Sequence, residues 1–345
     1  MSLKSRLYLG CCAAAMFAGC SVVDEDLDDC GADIRMNYEL HLVTNMSTEL
    51  NNVLNNAGDQ YVATSLRSYL KDIFTDQGHD LNLSFYDAML PDSSLLQQES
   101  EVMDASRASY TFYMPVHRYM HTASANIENN KMVSLDKTEQ CHGISLPQVK
   151  ADTISSHTTG IFTGRLPVNV LNAEGQEFDM YLYMANCAAA LVIDTSYVKV
   201  NDVRIYTTGF ATDFSLCDSI YTYGTSPIVR ADNVAAENGY KMAFCSVNYP
   251  SPDLNETRLV TETTEPFISE DTEKTFWQYR CYVTMPDGKI TETILSVRTP
   301  LRAGQLKIVK TKIESDGSVI PIADSSVGIT VTLDWKQGDT YEPIF

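Results

Sequence analysis

The chain has 345 residues and a formal net charge of −20 at pH 7, and this length leaves room for about two domains. Such an acidic surface repels the phosphates of nucleic acids and of anionic lipid headgroups, so neither is expected as a direct partner. Contact with a membrane is therefore expected only through an attached lipid.

Residues 1–19 have the three parts of a secretory signal. Lys4 and Arg6 are positive, residues 7–17 are mostly apolar, and Ala18 and Gly19 are small. The apolar part is shorter than the roughly 20 residues that a membrane-spanning helix needs. We therefore predict a cleaved signal peptide over residues 1–19 and no transmembrane anchor there.

The cysteine that follows this segment is predicted to carry lipid. Phe17-Ala18-Gly19-Cys20 resembles a lipobox, although Phe17 stands where Leu is usual. Several acyl chains on one residue give stable anchoring, because each buried methylene contributes about 0.8 kcal/mol. The alternative is an ordinary signal peptide that is cut nearby and leaves Cys20 as a free thiol. The acidic run behind Cys20 makes residues 20–30 a solvated, flexible tether.

Residues 31–152 are predicted to form a domain of strands with one crossing helix. From Gln60 to Phe74, apolar residues recur at helical spacing, which predicts an amphipathic helix. The stripe consists of Val62, Leu66, Leu70 and Ile73. Alternation of apolar and polar residues around Phe85 and Phe112 predicts strands after the helix. A polar stretch rich in Ser and Thr, residues 147–163, predicts the end of this domain.

Strand patterns dominate residues 160–345, the predicted second domain. Apolar residues alternate from Trp277 to Met285 and then meet Pro286-Asp287-Gly288, whose chemistry suits a turn. Ser315-Asp316-Gly317 marks another hairpin. Many short strands at this spacing favour a β-sandwich over a parallel sheet.

The last predicted strand, near the carboxyl terminus, alternates strictly. Its apolar residues are Ile329, Val331, Leu333 and Trp335. A strand of this kind could pair with a partner subunit by adding to a sheet edge. The alternative is that it is an ordinary core strand.

The cysteines that remain after the signal and Cys20 form an even set. They are Cys30, Cys141, Cys187, Cys217, Cys245 and Cys281. Six cysteines in an oxidising compartment are candidates for disulfides, but they allow fifteen connectivities, and the sequence does not select one. None lies in a C-x-x-C pair, which disfavours a zinc ribbon or a thioredoxin-like site. Cys187 could equally be a small buried hydrophobe.

The sequence contains no pattern that indicates catalysis. It has neither a Gly-x-Ser-x-Gly elbow nor a glycine-rich phosphate loop. His117 and His121 have a spacing that could chelate metal on a helix, but their context is strand-like and no third ligand is evident. We expect both histidines to face solvent. The predictions are therefore no enzyme activity, no catalytic residues, no cofactor and no metal.

Taken together, the signal segment, the lipobox, the acidic run and the strand pattern resemble the FimB/Mfa2 family of fimbrial anchor lipoproteins from Bacteroidota. The resemblance begins with the acidic run after Cys20, with Asp28-Asp29-Cys30 and with the extended segment from Ile34 to Leu40. It continues with the strand from Leu81 to Asp87. The segment from Tyr181 to Ile193 resembles the strand pair that opens the family's second domain, although the basic residue expected near Met184 is missing.

The resemblance implies a mainly β fold of two Greek-key, transthyretin-like β-sandwich domains, with one short helix in the first. It also implies an outer-membrane lipoprotein that anchors a fimbrial shaft to the cell surface and limits its length. The implied partners are a shaft subunit and, through the lipid, the outer membrane. Two alternatives remain open, a surface glycan-binding lipoprotein with exposed aromatic platforms and a stalk or tip subunit of the same fimbria.

Overall fold

The chain is strand-rich in the computed structural model. The structure describes residues 33–43, 54, 59–74, 80–89, 95–101, 109–236, 240–253, 275–322 and 329–333. The predicted signal peptide and tether, with Cys20 and Cys30, lie outside this part of the chain. Strands make up most of the described elements, so the predicted mainly β class is confirmed.

A seven-stranded sheet contains the first strands of the chain, in the spatial order β3-β2-β5-β7-β8-β1-β4. Its strands are β1 (Ile34–Val43), β2 (Leu81–Asp87), β3 (Leu95–Glu101), β4 (Ser109–Met114), β5 (Arg118–Ala125), β7 (Phe162–Asn169) and β8 (Gln176–Met184). Along β4 the burial alternates strictly between exposed and buried residues, as the sequence pattern predicts. One face of this sheet therefore forms a core.

This sheet folds over on itself into a sandwich. The ring centroid of Phe85 on β2 lies 6.1 Å from that of Phe112 on β4, although four strands separate β2 from β4 in the sheet order. The fold occurs between β7 and β8, which pair only at Phe162↔Met184 and Thr163↔Tyr183. The halves β3-β2-β5-β7 and β8-β1-β4 thus face each other across one core, which we call the first sandwich.

Gly164 lies next to this corner. A Cβ at Gly164 would stand 2.5 Å from the backbone oxygen of Tyr181, closer than real Cβ atoms come to any neighbour. The close approach of the two backbones therefore requires glycine at this position. The corner depends on a residue with no side chain.

The predicted domain boundary does not coincide with a division between the sheets. Strands β7 and β8 belong to residues 160–345, yet both are hydrogen-bonded into the first sandwich. β8 pairs in parallel with β1 from Met36↔Gln176 to Val43↔Tyr183. Periodicity shows that such a segment is a strand, but it does not show which distant strand it pairs with.

Two further sheets form the second sandwich. The six-stranded sheet has the order β20-β17-β16-β10-β13-β6, and the five-stranded sheet has the order β14-β15-β9-β18-β19. The first consists of β6 (Thr153–Ser155), β10 (Asp202–Thr208), β13 (Ile228–Arg230), β16 (Trp277–Thr284), β17 (Ile290–Val297) and β20 (Ile329–Leu333). The second consists of β9 (Cys187–Asp194), β14 (Asp232–Ala236), β15 (Lys241–Asn248), β18 (Leu306–Ile313) and β19 (Val319–Pro321).

Strand β9 is buried on both faces and is the central strand of the five-stranded sheet. Ala189 and Leu191 face the core of the second sandwich, whereas Ala188 and Ala190 face the core that continues into the first sandwich. The run of small residues in β9 keeps this second face shallow, so that other elements approach it closely. The alanines therefore have a packing role.

The predicted helix is present as α1 (Gln60–Ile73), within one residue of its expected end. It buries Val62, Leu66, Leu70 and Ile73, together with Ala63, and it packs against β14 and β15. The hydroxyl of Tyr69 donates to Asp232 Oδ2 at 2.6 Å and fixes the helix to β14. No helix in the described ranges is long and apolar enough to cross a membrane.

A small two-stranded sheet joins the two sandwiches. It is formed by β11 (Asp213–Ser215) and β12 (Ile220–Thr222), and a one-turn 3-10 helix (Cys141–Gly143) lies beside it. The backbone N–H of Leu146 donates to Phe214 O at 2.8 Å, and that of Gln148 donates to Thr212 O at 2.9 Å. The loop after β5 is therefore tied to this small sheet.

Candidate functional site

Strand β20 is the edge strand of the six-stranded sheet, and it is the candidate site for pairing with another subunit. It runs antiparallel to β17, with Val297↔Ile329, Leu295↔Val331 and Thr293↔Leu333 as partners. Val297, Leu295 and Thr293 are fully buried. Three of the four predicted pairing residues thus lie in this strand. The fourth, Trp335, lies outside the described residues.

The hairpin between β18 and β19 supports β17 from the opposite sheet. The hydroxyl of Thr293 accepts a hydrogen bond from the backbone N–H of Val319, and that of Thr291 donates to Asp316 O at 2.8 Å. Hydrogen bonds from the hydroxyl and backbone N–H of Ser318 hold the pKa of Asp316 below its usual value. The strand that carries β20 is therefore fixed in place.

The outer side of β20 has no strand partner within the described ranges, because β20 stands at the end of the sheet order. An edge strand presents a row of backbone N–H and C=O groups that can pair with a strand from another chain. Such pairing gives affinity through the main chain. The geometry of this edge is suited to β-augmentation.

The cysteines are only partly paired. Cys141 and Cys217 form a disulfide that closes a sequence separation of 76 residues. Cys187, Cys245 and Cys281 are free and buried, so the expectation that they are disulfide candidates is corrected. Burial raises the pKa of each of these three thiols.

The pattern of the sheet explains why two of the free thiols stay apart. Cys187 on β9 faces the core of the second sandwich, whereas Cys245 on the neighbouring β15 faces the core shared with α1. Side chains on opposite faces of one sheet cannot form a disulfide without moving the backbone. These residues act as small buried hydrophobes, the alternative that the sequence left open for Cys187.

The Cys141–Cys217 bond lies in the small apolar cluster that joins the two sandwiches. Phe214, Tyr221 and Tyr249 belong to the same cluster. The hydroxyl of Tyr221 donates to Ala185 O at 2.8 Å, and the guanidinium of Arg165 on β7 donates to Cys217 O. The disulfide thus links the loop after β5 to the β11–β12 hairpin.

The prediction that both His117 and His121 face solvent is wrong for His121. This imidazole is fully buried, with its ring stacked on Phe85 at a centroid distance of 4.1 Å. Its Nδ1 donates to Ser84 O at 3.0 Å, and its Nε2 accepts from the hydroxyl of Tyr38 at 2.8 Å. Desolvation lowers the pKa of His121 to about 4, so the ring is neutral. The alternation of apolar and polar residues counts histidine as polar. It therefore does not reveal a buried imidazole whose two ring nitrogens are both hydrogen-bonded.

Several tyrosines are exposed, which bears on the glycan-binding alternative. Tyr197 has 91% of its surface exposed and Tyr240 has 70%. The backbone N–H of Thr195 donates to Tyr240 O, so the two tyrosines lie on neighbouring parts of the chain surface. The ring stacks found in the described part of the chain involve other residues, so these two rings do not form a stacked row.

Comparison with known proteins supports the fold. No family model matches the sequence, and no curated protein matches it. A crystal structure of a candidate adhesin from Bacteroides ovatus matches with a TM-score of 0.50 at 10% identity, over 84% of this chain and 95% of that chain. Candidate polysaccharide-binding proteins from Bacteroides thetaiotaomicron match with a TM-score of 0.50 at 10% identity, over 85% and 99%.

The neighbours also include the fimbrial anchor protein Mfa2 from Porphyromonas gingivalis. That match has a TM-score of 0.48 at 9% identity and covers 86% of this chain and 97% of Mfa2. At such identities a likeness shows the fold alone. The chain therefore shares the fold of the candidate adhesin and of the candidate polysaccharide-binding proteins from Bacteroides.

Proposed function

We propose that this chain is a non-enzymatic lipoprotein that anchors a fimbrial shaft at the outer membrane. Cys20 carries the lipid, and the body stands on the cell surface. The observation that carries the proposal is the position of β20 at the end of its sheet, where no other described strand pairs with its outer side and main-chain hydrogen bonds could form with one strand of a shaft subunit. The anchored chain stays fixed in the membrane. No further shaft subunit is added beyond it, so it stops growth of the fibre at that end and limits the length of the fibre.

Three further observations support this proposal. The fold is shared with candidate adhesins, and the sequence resembles fimbrial anchor lipoproteins. The charge of −20 disfavours direct adsorption to anionic headgroups, so the lipid is the plausible attachment. A lipid-bound base and a strand that ends its sheet among the described residues together suit an anchor.

The first experiment replaces the lipid attachment residue in the producing strain. In the Cys20→Ala strain, shaft protein is expected to move from the cells to the medium, as long fibres. The matched control is Cys12→Ala, which removes a cysteine of the predicted signal peptide and leaves Cys20. Fibres that remain attached and unchanged in length in the Cys20→Ala strain would refute the anchor.

A second experiment tests which edge pairs with the shaft. A photo-crosslinking amino acid at Thr332 on β20 is expected to capture the shaft subunit. The control position is Tyr113 on β4, an exposed residue at the edge of the first sandwich. Capture at Tyr113 and none at Thr332 would move the pairing site to the first sandwich.

A stalk or tip subunit is the nearest alternative to the anchor. Immunogold labelling separates these roles, because an anchor is found at the base of each fibre and a stalk or tip subunit away from it. Label along the shaft or at its free end would overturn the anchor assignment.

Glycan binding remains the second candidate function, because two tyrosines are exposed, although their rings form no stacked row. Tyr197 and Tyr240 present apolar ring faces with a polar hydroxyl, which suits contact with a sugar. A glycan array probed with the purified protein and with the Tyr197→Ala variant tests this function. Binding that the substitution abolishes would support it, and a protein that binds no glycan would exclude it.

A further inference from the structure

Three potential metal ligands converge on the outer face of the first sandwich. Glu39 and His41 lie two residues apart on β1 and so point to the same face of the sheet. Asp179 on β8 is the direct cross-strand partner of Glu39 in the parallel register. The side chains of the three residues are 40–64% exposed, so their polar atoms are open to solvent.

The donor atoms of these residues are close to one another. His41 Nε2 lies 3.5 Å from Asp179 Oδ1 and 4.0 Å from Glu39 Oε2. All three donor atoms lie within 4.8 Å of one another. Ligands held about 2.1 Å from a tetrahedral ion stand about 3.4 Å apart. Glu39 is the residue whose carboxylate must move closer to reach this separation, and its side chain is 60% exposed.

The imidazole of His41 is held in orientation by a neighbouring ring. It stacks on Tyr181 with a centroid distance of 4.8 Å and an interplanar angle of 21°. Tyr181 is the cross-strand partner of His41, so the sheet register sets this contact. The stack directs Nε2 towards the two carboxylates and reduces the rotamer freedom that binding would otherwise remove.

The charges at this point of the surface are ones that a bound cation would balance. Glu39 and Asp179 are carboxylates directly opposite each other, an arrangement that destabilises a sheet when it is not neutralised. In the described part of the chain, no lysine or arginine forms an ion pair with either residue. The net charge of −20 adds to the local negative potential.

We propose that Glu39, His41 and Asp179 bind a divalent transition-metal ion of the zinc type. An imidazole with two carboxylates suits Zn²⁺, whereas Ca²⁺ and Mg²⁺ prefer sites made of oxygen ligands alone. The three protein donors leave a fourth position for water. The bound ion neutralises the two carboxylates and cross-links β1 to β8, the parallel pair that brings a late strand into the first sandwich.

The sequence does not reveal this site, because Asp179 lies far from the Glu39-x-His41 pair and only the β1–β8 register brings them together. A second histidine–carboxylate pair on the surface provides a matched control. His142 Nδ1 lies 2.9 Å from Asp218 Oδ1, but the nearby Cys217 is committed to the disulfide. Within the described ranges, His142 therefore has one carboxylate partner and no third donor.

The test titrates the full chain, purified in detergent without a histidine tag, with ZnCl2 in a calorimeter. We expect one equivalent of Zn²⁺ to bind, and the affinity to fall by at least about tenfold in both His41→Ala and Asp179→Asn. His142→Ala is expected to bind Zn²⁺ as the unmodified chain does. CaCl2 at the same concentration serves as the probe for an oxygen-only site.

A thermal melt provides a second readout. Zn²⁺ is expected to raise the Tm of the unmodified chain and to leave the Tm of the His41→Ala variant unchanged. Circular dichroism checks that each variant is folded, which is expected because all three residues are exposed. Zn²⁺ binding that survives both substitutions, or its failure to bind the unmodified chain, would overturn the proposal. A preference for Ca²⁺ would overturn the assigned metal class.

Discussion

The hydroxyl of Tyr38 on β1 donates to Nε2 of the buried His121 on β5 at 2.8 Å and so joins the two halves of the first sandwich. The other ring nitrogen donates to Ser84 O on β2. One neutral imidazole thus connects three strands inside the core. Its protonation would place a charge there without a described counter-ion.

This relationship predicts that the protein loses stability in acid. Burial lowers the pKa of His121 to about 4, below the unfolded value of about 6.5. The unfolded chain therefore binds the proton first, and the stabilisation that is present above pH 6.5 is lost as the pH falls towards 4. The slope for one such histidine is roughly 1 kcal/mol per pH unit. Urea unfolding measured across this range checks the prediction.

The control for this measurement keeps the hydrogen bonds and removes the titration. The amide of His121→Gln can donate to Ser84 O and accept from Tyr38. The unfolding free energy of this variant is expected to change less steeply with pH, because the contribution of one titrating proton is removed. Burial also lowers the pKa of His157 to about 3. The contribution of His157 to the pH dependence of the unfolding free energy therefore remains in this variant. An equal slope in His121→Gln and the unmodified chain would contradict the prediction.

The disulfide is expected to stabilise the protein strongly. Cross-linking Cys141 to Cys217 closes a loop across a separation of 76 residues, and the chain-entropy model gives about 4 kcal/mol for such a loop. The Cys141→Ser/Cys217→Ser variant should lose about this much free energy of unfolding in a denaturant titration. Adding reductant should lower the stability of the unmodified chain and leave that of the double variant unchanged. Equal sensitivity of both proteins to reductant would refute the pairing.

Asp59 fixes the start of α1 to the second sandwich. Its carboxylate accepts hydrogen bonds from Lys241 at 2.5 Å and Lys310 at 2.8 Å. Burial by itself raises the pKa of Asp59, but the two lysines more than offset this and hold it below its usual value. The resulting stabilisation is present at neutral pH and is lost as the pH falls through the lowered pKa.

We therefore expect Asp59→Asn to cost about 2–3 kcal/mol of unfolding free energy at pH 7. This is less than the roughly 3–5 kcal/mol typical of a broken buried pair, because both lysines are partly exposed. The control is Glu314→Gln, which breaks the exposed pair with Lys312 at 2.7 Å and should cost under about 1 kcal/mol. Similar losses in the two variants, measured by urea unfolding, would contradict a specific role of Asp59.

Gly164 is expected to tolerate no side chain. In Gly164→Ala the new methyl group would meet Tyr181 O and the side chain of Leu182 at the β7–β8 corner. We expect a loss of about 1–3 kcal/mol, as in other overpacked sites. Gly224→Ala is the control, because the nearest atom there would be Thr212 Oγ1 at 3.6 Å. Thermal unfolding compares the two variants. If Gly164→Ala lowers the Tm no more than Gly224→Ala does, the close approach of the backbones at Gly164 is refuted.

Local patterns predicted the elements well because their signals lie within one segment. The apolar stripe from Val62 to Ile73 defines α1 within one residue of its end. The turn at Pro286-Asp287-Gly288 lies between β16 and β17, where Gly288 has a φ of 85° that favours glycine. Such features depend on backbone preferences and neighbours in sequence.

The partners of the strands could not be predicted in this way. β8 joins β1 across more than a hundred intervening residues, and nothing in the alternation of β8 selects this partner. The same limit applies to Cys141 and Cys217, whose pairing depends on how the loop after β5 meets the β11–β12 hairpin. The burial of His121 depends on Tyr38 and Ser84, which supply its hydrogen bonds from two other strands.

The position of the disulfide has a mechanical consequence. The residues between Cys141 and Cys217 include β7, β8 and β9, the strands at which the chain leaves one sandwich and enters the other. A tensile load between the two chain ends bypasses this loop through the sulfur bridge. About 250 Å of extended chain is thereby excluded from any stretching. Under such a load the oxidised molecule keeps the strands that connect its two halves outside the path of the force, and reduction would return them to it.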